Sequence, residues 1–254
     1  MSLLSSPDAL YLFGLFYKEK PDLEGAPPGF APPGELRINA LDGTPFFACT
    51  EPTYLDLWTG PEAESRLQDI QWVGPRALVH EEVQRWCYSI NATYYPTSLG
   101  TIFSTLEALT SSIVPRTSEL EEYFIRTGGA FQFTLKGYFL APKEEKKTAN
   151  FQSGSDYLRH RAQRKQEGST LPLERLRKES ALLLSSLQPH FREFAQGQPA
   201  SRKVEGKELI LQWHLLIDED KIPDFQSALK EILPQLSDFL ELELLGPLPP
   251  YHFR

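Results

Sequence analysis

At 254 residues, 41% hydrophobic and 12% aromatic, the chain can fill one large domain or two ordinary ones, and global disorder is excluded. A formal charge of −8 and a pI near 5.3 argue against nucleic acid and anionic lipid as partners, because phosphate repels such a surface. Two scattered cysteines, Cys49 and Cys87, make a disulfide scaffold unsuitable and fit a reducing cytoplasm. The first residues lack the basic region and apolar run of a signal peptide, and no run nears the roughly 20 apolar residues of a membrane span. A cytoplasmic protein is expected.

Ala9 to Tyr17 is an aromatic-rich run that predicts a strand buried on both faces. A proline- and glycine-rich excursion follows, broken by an edge strand over Glu35–Leu41. Asp42-Gly43 is a hairpin turn into a strand over Phe46–Thr50. Two helical blocks come next. The first covers Ser65–Ile70 and Pro75–Ile90, divided at Gly74-Pro75, with an apolar face of Leu78, Val79, Val83, Trp86 and Ile90. After an extended stretch over Thr93–Phe103, the second runs from Ser104 to Arg126 with a break at Pro115. Gly128-Gly129 ends it, and Ala130–Leu140 alternates as a strand. The pattern predicts an α+β, ferredoxin-like domain over 1–141: a sheet with an extra hairpin and helices on one face.

Residues 142–152 are rich in lysine and glutamate and predict a linker, leaving 153–254 as a second α+β domain. There, Ser155-Asp156 caps a basic helix, and a long helix carries Leu173, Leu176, Leu183, Leu187, Phe191 and Phe194, kinked or ended by Pro189. Strand Leu209–Ile217, helix Ile222–Leu236 and a final strand from Leu240, stopped at Gly246-Pro247, form a ferredoxin-like half. The chain ends on Pro249-Pro250-Tyr251-His252-Phe253-Arg254, which predicts a tail docked with Tyr251 and Phe253 in the core.

No residue pattern calls for catalysis, a cofactor or a metal. His80-Glu81-Glu82 lacks the second histidine one turn on that a zinc helix needs, and reads as a partly exposed polar face. Asp218-Glu219-Asp220 reads as an acidic helix start with Pro223 in the first turn. His214, among apolar neighbours, reads as a satisfied or outward-facing histidine. Two features are candidates for partner contact. Tyr11, Phe13 and Phe16 are core rings or an interaction edge, and Arg159 and Arg161 belong to a basic run that is a solvated helix face or a contact for an acidic partner. A ferredoxin-like small-molecule enzyme and a nucleic-acid-binding regulator are the alternative readings, the latter opposed by the net charge.

Four blocks resemble the gas vesicle accessory proteins of the GvpF/GvpL family. They are Tyr11-Leu12-Phe13-Gly14-Leu15; His80-Glu81-Glu82-Val83 with Pro96-Thr97-Ser98-Leu99-Gly100-Thr101-Ile102-Phe103; Tyr157-Leu158-Arg159-His160-Arg161; and Gly246-Pro247-Leu248-Pro249-Pro250-Tyr251-His252-Phe253. The sequence departs from the family pattern at Leu99 and Leu248, where the family has phenylalanine and tryptophan. The resemblance implies a modified ferredoxin-like N-terminal domain and an α+β C-terminal domain. It also implies a non-enzymatic part in gas vesicle assembly, with contact to the hydrophobic shell protein or other accessory proteins, and a place in the cytoplasm with the vesicles.

Overall fold

Continuous apolar character with aromatics at alternate positions makes Ala9–Tyr17 the central strand β1 of the first sheet. The structure is a computed structural model that describes residues 6–30, 34–91, 93–139, 173–198, 203–204, 207–236 and 240–254. It divides into two compact units, residues 1–133 with 245–254, and residues 134–244. The expected linker 142–152 and the basic run with Arg159 and Arg161 lie outside the described residues.

In the first unit β1 pairs antiparallel with β3 (Phe46–Thr53) on one side and with β4 (Tyr94–Pro96) and β5 (Ile102–Phe103) on the other. Edge strand β2 (Arg37–Ala40) pairs with β3 through the Asp42-Gly43 turn, where Gly43 takes a φ of +75°. A bulge between Leu12 and Gly14 leaves Phe13 without a partner on β3 and shifts the alternation. Tyr11, Phe13 and Phe16 therefore share one face, while Leu12 and Leu15 share the other.

Each face is covered. Trp58 of α1 (Leu55–Trp58) and Val83, Cys87 and Tyr88 of α3 (Ile70–Ile90) close the aromatic face; α2 (Pro61–Gln68) leads into α3. Leu109 and Ile113 of α4 (Leu106–Ile113) and Leu120, Tyr123 and Phe124 of α5 (Thr117–Thr127) close the other. The mixed α+β class holds, with two antiparallel sheets. Helices on one face only do not, and burial from both sides is why β1 carries almost no polar residue.

Three local expectations are corrected. Gly74-Pro75 does not divide the first helical block: α3 runs through Pro75, and the break falls at Asp69, whose carboxylate accepts the Gln71 N–H as an N-cap. The face of α3 turned inward is His80, Val83, Gln84, Cys87 and Tyr88, with Val79 and Trp86 packed beside it as expected, while Leu78 and Ile90 are exposed. His80 and Gln84 bond to the sheet, so an apolar count alone misplaces this stripe. Lastly, the strand β6 (Ala130–Phe139), expected in the first sheet, belongs to the second, whose order is β10-β6-β9-β7.

In the second unit, α6 (Leu173–Leu187) ends before Pro189, and Phe194 belongs to a strand, β7 (Glu193–Gln196), rather than to the helix. β9 (Lys207–Asp218) is paired by β7 and by β8 (Lys203–Val204). The acidic residues after it make a short turn into α7 (Ile222–Ile232) with Pro223 in its first turn, and Asp218 pairs with Arg192 and Lys221. His214 is buried and bonded to the Thr134 hydroxyl at 3.0 Å. β10 (Leu240–Leu248) continues through Gly246-Pro247 instead of stopping there.

Candidate functional site

Three of the four blocks that carry the family resemblance are described, and they meet in the first unit. The Tyr11 hydroxyl lies 2.8 Å from His80 Nδ1 and accepts the Gly100 N–H at 3.0 Å. His80 Nε2 lies 3.2 Å from the Thr97 carbonyl, which can only accept, so Nε2 carries the proton and Nδ1 receives the Tyr11 hydroxyl. Gln84 donates through one nitrogen to the Phe13 and Thr97 carbonyls, each at 2.7 Å. Thr97 donates its hydroxyl to the Leu12 carbonyl at 2.6 Å. The bulge at Phe13 is thereby tied to α3 and to the chain before β5.

Burial lowers the His80 pKa to about 4, against the weaker opposing effects of the Thr97 carbonyl and Glu81. A neutral imidazole with each nitrogen engaged is a structural link, without a lone pair to offer a substrate. His80 is thus a buried core residue and not the partly exposed one expected. Among the described residues no group of three or more His, Cys, Asp or Glu side chains is placed to hold a metal ion.

Glu51, on β3 beneath the proline-rich excursion, is only 1% exposed. Its carboxylate accepts the Phe30 N–H at 2.9 Å and the Gly34 N–H at 3.1 Å. Burial outweighs those two bonds and raises its pKa to about 7. Phe30 sets its ring 4.8 Å from Tyr11, 5.5 Å from Phe13 and 5.6 Å from Trp58. Sequence reasoning singles out neither Glu51 nor Gln84, and names Thr97 only as a member of a family block.

Gly14 has no room for a side chain: a Cβ there would lie 2.3 Å from the Tyr94 ring and 2.4 Å from the Tyr95 carbonyl. Among the described residues the buried Tyr94 hydroxyl has no oxygen or nitrogen partner and faces the thiols of Cys49 and Cys87, weak partners that lie 3.8 Å apart. Tyr94→Phe is expected to leave stability unchanged or raise it by up to about 1 kcal/mol, because it removes a weakly satisfied buried group. A thermal melt that fell by several degrees would contradict this.

The tail closes the same region. Gln132 accepts the His252 N–H at 2.9 Å and lies 3.0 Å from His252 Nδ1 through its amide nitrogen. Arg126 donates to the Phe253 carbonyl, and Arg254 donates to the Pro96 carbonyl at 3.3 Å. Phe253 is buried and Tyr251 is half-buried, on a short helical turn. Deleting Tyr251–Arg254 is expected to lower stability by about 3 kcal/mol, the burial of one phenylalanine plus its bonds, read as a drop in urea midpoint.

The candidate partner residues fall in two places. Tyr11, Phe13 and Phe16 are fully enclosed, their rings covered by α1, α3 and the excursion. Arg159 and Arg161 lie outside the described residues. Exposed apolar side chains instead mark the outer side of α3, where Ile70 is 75% and Leu78 is 70% exposed.

No curated protein sequence matches the chain. Two crystal structures are similar over nearly all of it. GvpF from Anabaena sp. PCC7120 has a TM-score of 0.71 at 16% identity, covering 98% of this chain and 96% of that one. GvpF from Microcystis aeruginosa has a TM-score of 0.67 at 19% identity, covering 97% and 98%. At these identities the likeness establishes the fold. The family described as "Gas vesicle synthesis protein GvpL/GvpF" matches residues 9–254. No described helix is long and apolar enough to cross a membrane. The chain belongs to the GvpL/GvpF family of gas vesicle synthesis proteins, and its role lies in gas vesicle assembly.

Proposed function

We propose that the protein is a non-enzymatic accessory factor that binds the small apolar gas vesicle shell protein, other accessory proteins, or both. An apolar shell subunit aggregates unless its surface is covered, and a soluble acidic companion can cover it and be displaced at the growing wall. The observation that carries this reading is the use made of the family blocks. Their polar groups, His80, Thr97 and Gly100 with Tyr11, are engaged in holding the first unit together. That unit, residues 1–133 and 245–254, carries 17 acidic against 9 basic side chains, a surplus that favours solubility.

Two surfaces suit an apolar partner. Ile70 and Leu78 lie on one stripe of α3, eight residues apart with Gly74 between them, and admit close approach of another helix or strand. β2, at the end of its sheet, can accept an added strand. The basic run with Arg159 and Arg161 suits a second, acidic accessory partner. Co-purification with tagged shell protein tests the reading, and recovery of the shell protein is expected. Ile70→Lys with Leu78→Lys should reduce that recovery roughly tenfold, as the loss of an apolar contact of about 1.4 kcal/mol would. Absence of binding, together with normal vesicles after gene deletion, would overturn the proposal.

A further inference from the structure

Residues 21–30 cross the aromatic face of the first sheet without forming helix or strand. Among the described residues, their one hydrogen bond to the sheet is from the Phe30 N–H to Glu51. Their other attachments are the apolar side chains Leu23, Ala26 and Phe30, packed on the cluster that contains Tyr11, Phe13 and Trp58. Gly29 passes so close to Glu51 that a Cβ would fall 1.9 Å from its carboxylate. Pro21, Pro27 and Pro28 stiffen the segment, which lowers the entropy lost on docking and gained on release. A proline-rich segment on an aromatic face is the arrangement by which such segments are bound between proteins, here made within one chain.

We propose that residues 21–30 are a displaceable strap, an internal ligand that Glu51 and Phe30 fasten over Tyr11, Phe13 and Trp58 and whose release uncovers those rings for an apolar partner. The identity of that partner rests on the function proposed above; the release of the strap does not.

Glu51 gives the strap a pH dependence. Closed, its carboxyl is desolvated and titrates near 7; released, it returns to water and to the ordinary carboxylate range. Rising pH therefore favours release. The titratable groups facing it are Tyr11 on β1, Cys49 on its own strand and, through Tyr11, His80 on α3. Burial pushes the Tyr11 phenol up, the Cys87 thiol and burial push the Cys49 thiol up, and His80 is held down near 4, so all three stay neutral from about pH 5.5 to about pH 8.5. Asp22 and Glu24 on the strap and the Glu35–Arg37 pair beside β2 are the charged groups nearby in the chain.

Hydrogen exchange on the whole chain, corrected for the intrinsic rate, tests the proposal at about pH 5.5 and about pH 8.5. The strap amides should lose protection roughly tenfold at the higher pH, while β1 and β3 keep theirs. Glu51→Gln should abolish that difference. Equal protection of strap and sheet at each pH, or an unchanged pH difference in Glu51→Gln, would overturn it. Phe30→Ala provides the second arm: it should speed exchange in the strap alone and increase recovery of tagged shell protein. If the wild type recovers shell protein and Phe30→Ala opens the strap without increasing recovery, the uncovered rings are not the partner surface.

Discussion

Gly14→Ala is expected to cost the first unit more than about 3 kcal/mol, or to prevent its folding. Overpacking in a core usually costs about 1–3 kcal/mol because side chains can shift. Here the methyl group would meet the Tyr94 ring at 2.3 Å and the Tyr95 backbone carbonyl at 2.4 Å. The ring cannot swing away, because Tyr94 is fully buried, with Phe16 4.9 Å from its centre. The carbonyl cannot retreat without breaking the pairing of β4 with Gly14, Leu15 and Phe16. Trimming the ring therefore does not rescue the variant: Gly14→Ala with Tyr94→Ala should remain as unstable as either change alone, or more so. A urea titration of the single variant showing a loss under 1 kcal/mol would contradict this packing.

The second large effect concerns pH. His80 has a folded-state pKa near 4 against an ordinary value of 6.5, so its contribution to stability is lost as pH falls from 6.5 towards 4. Glu51 has a folded-state pKa near 7 against an ordinary value of 4.5, so the folded state holds its proton more tightly. Its contribution is present below 4.5 and is lost as pH rises towards 7. Each difference corresponds to roughly 3 kcal/mol. The two slopes oppose one another, and the wild type should be nearly level between about pH 4.5 and about pH 6.5. Glu51→Gln leaves the histidine slope, so stability should rise by roughly 2–3 kcal/mol across that interval. His80→Gln leaves the carboxyl slope, and stability should fall by a similar amount. Urea unfolding at a series of pH values separates the two; variants that follow the wild-type profile would show that neither group titrates as its surroundings imply.

Much of the first unit was legible because its elements follow simple periodicities. β1, the Asp42-Gly43 hairpin, the break at Pro115 and the docked tail all stand where residue spacing places them. What was not legible depended on polar groups satisfied at a distance. His80 reads as part of a partly exposed polar face, and Gln84 draws no attention, because their partners Tyr11, Phe13 and Thr97 lie far away in sequence. Of the apolar face that spacing predicts for α3, Val83 is buried and Val79 and Trp86 pack against the core, while Leu78 and Ile90 are exposed and the polar His80 and Gln84 complete the inward face. Strand β7 was hidden for a different reason: Phe191 and Phe194 continue the spacing of α6 beyond Pro189, and only pairing with β9 makes a strand of Glu193–Gln196. The membership of β6 in the second sheet leaves no local trace, since alternation specifies a strand and not its neighbours. The family blocks gave the role in gas vesicle assembly. The network that joins them in space became visible only in three dimensions.

The most direct measurement is a pull-down of the tagged, full-length protein from cells that make gas vesicle shell protein. A handler of the apolar subunit should bring it down in soluble form, and Ile70→Lys with Leu78→Lys should bring down less. Shell protein absent from the pull-down, with vesicles still assembling in cells that lack this chain, would contradict the account.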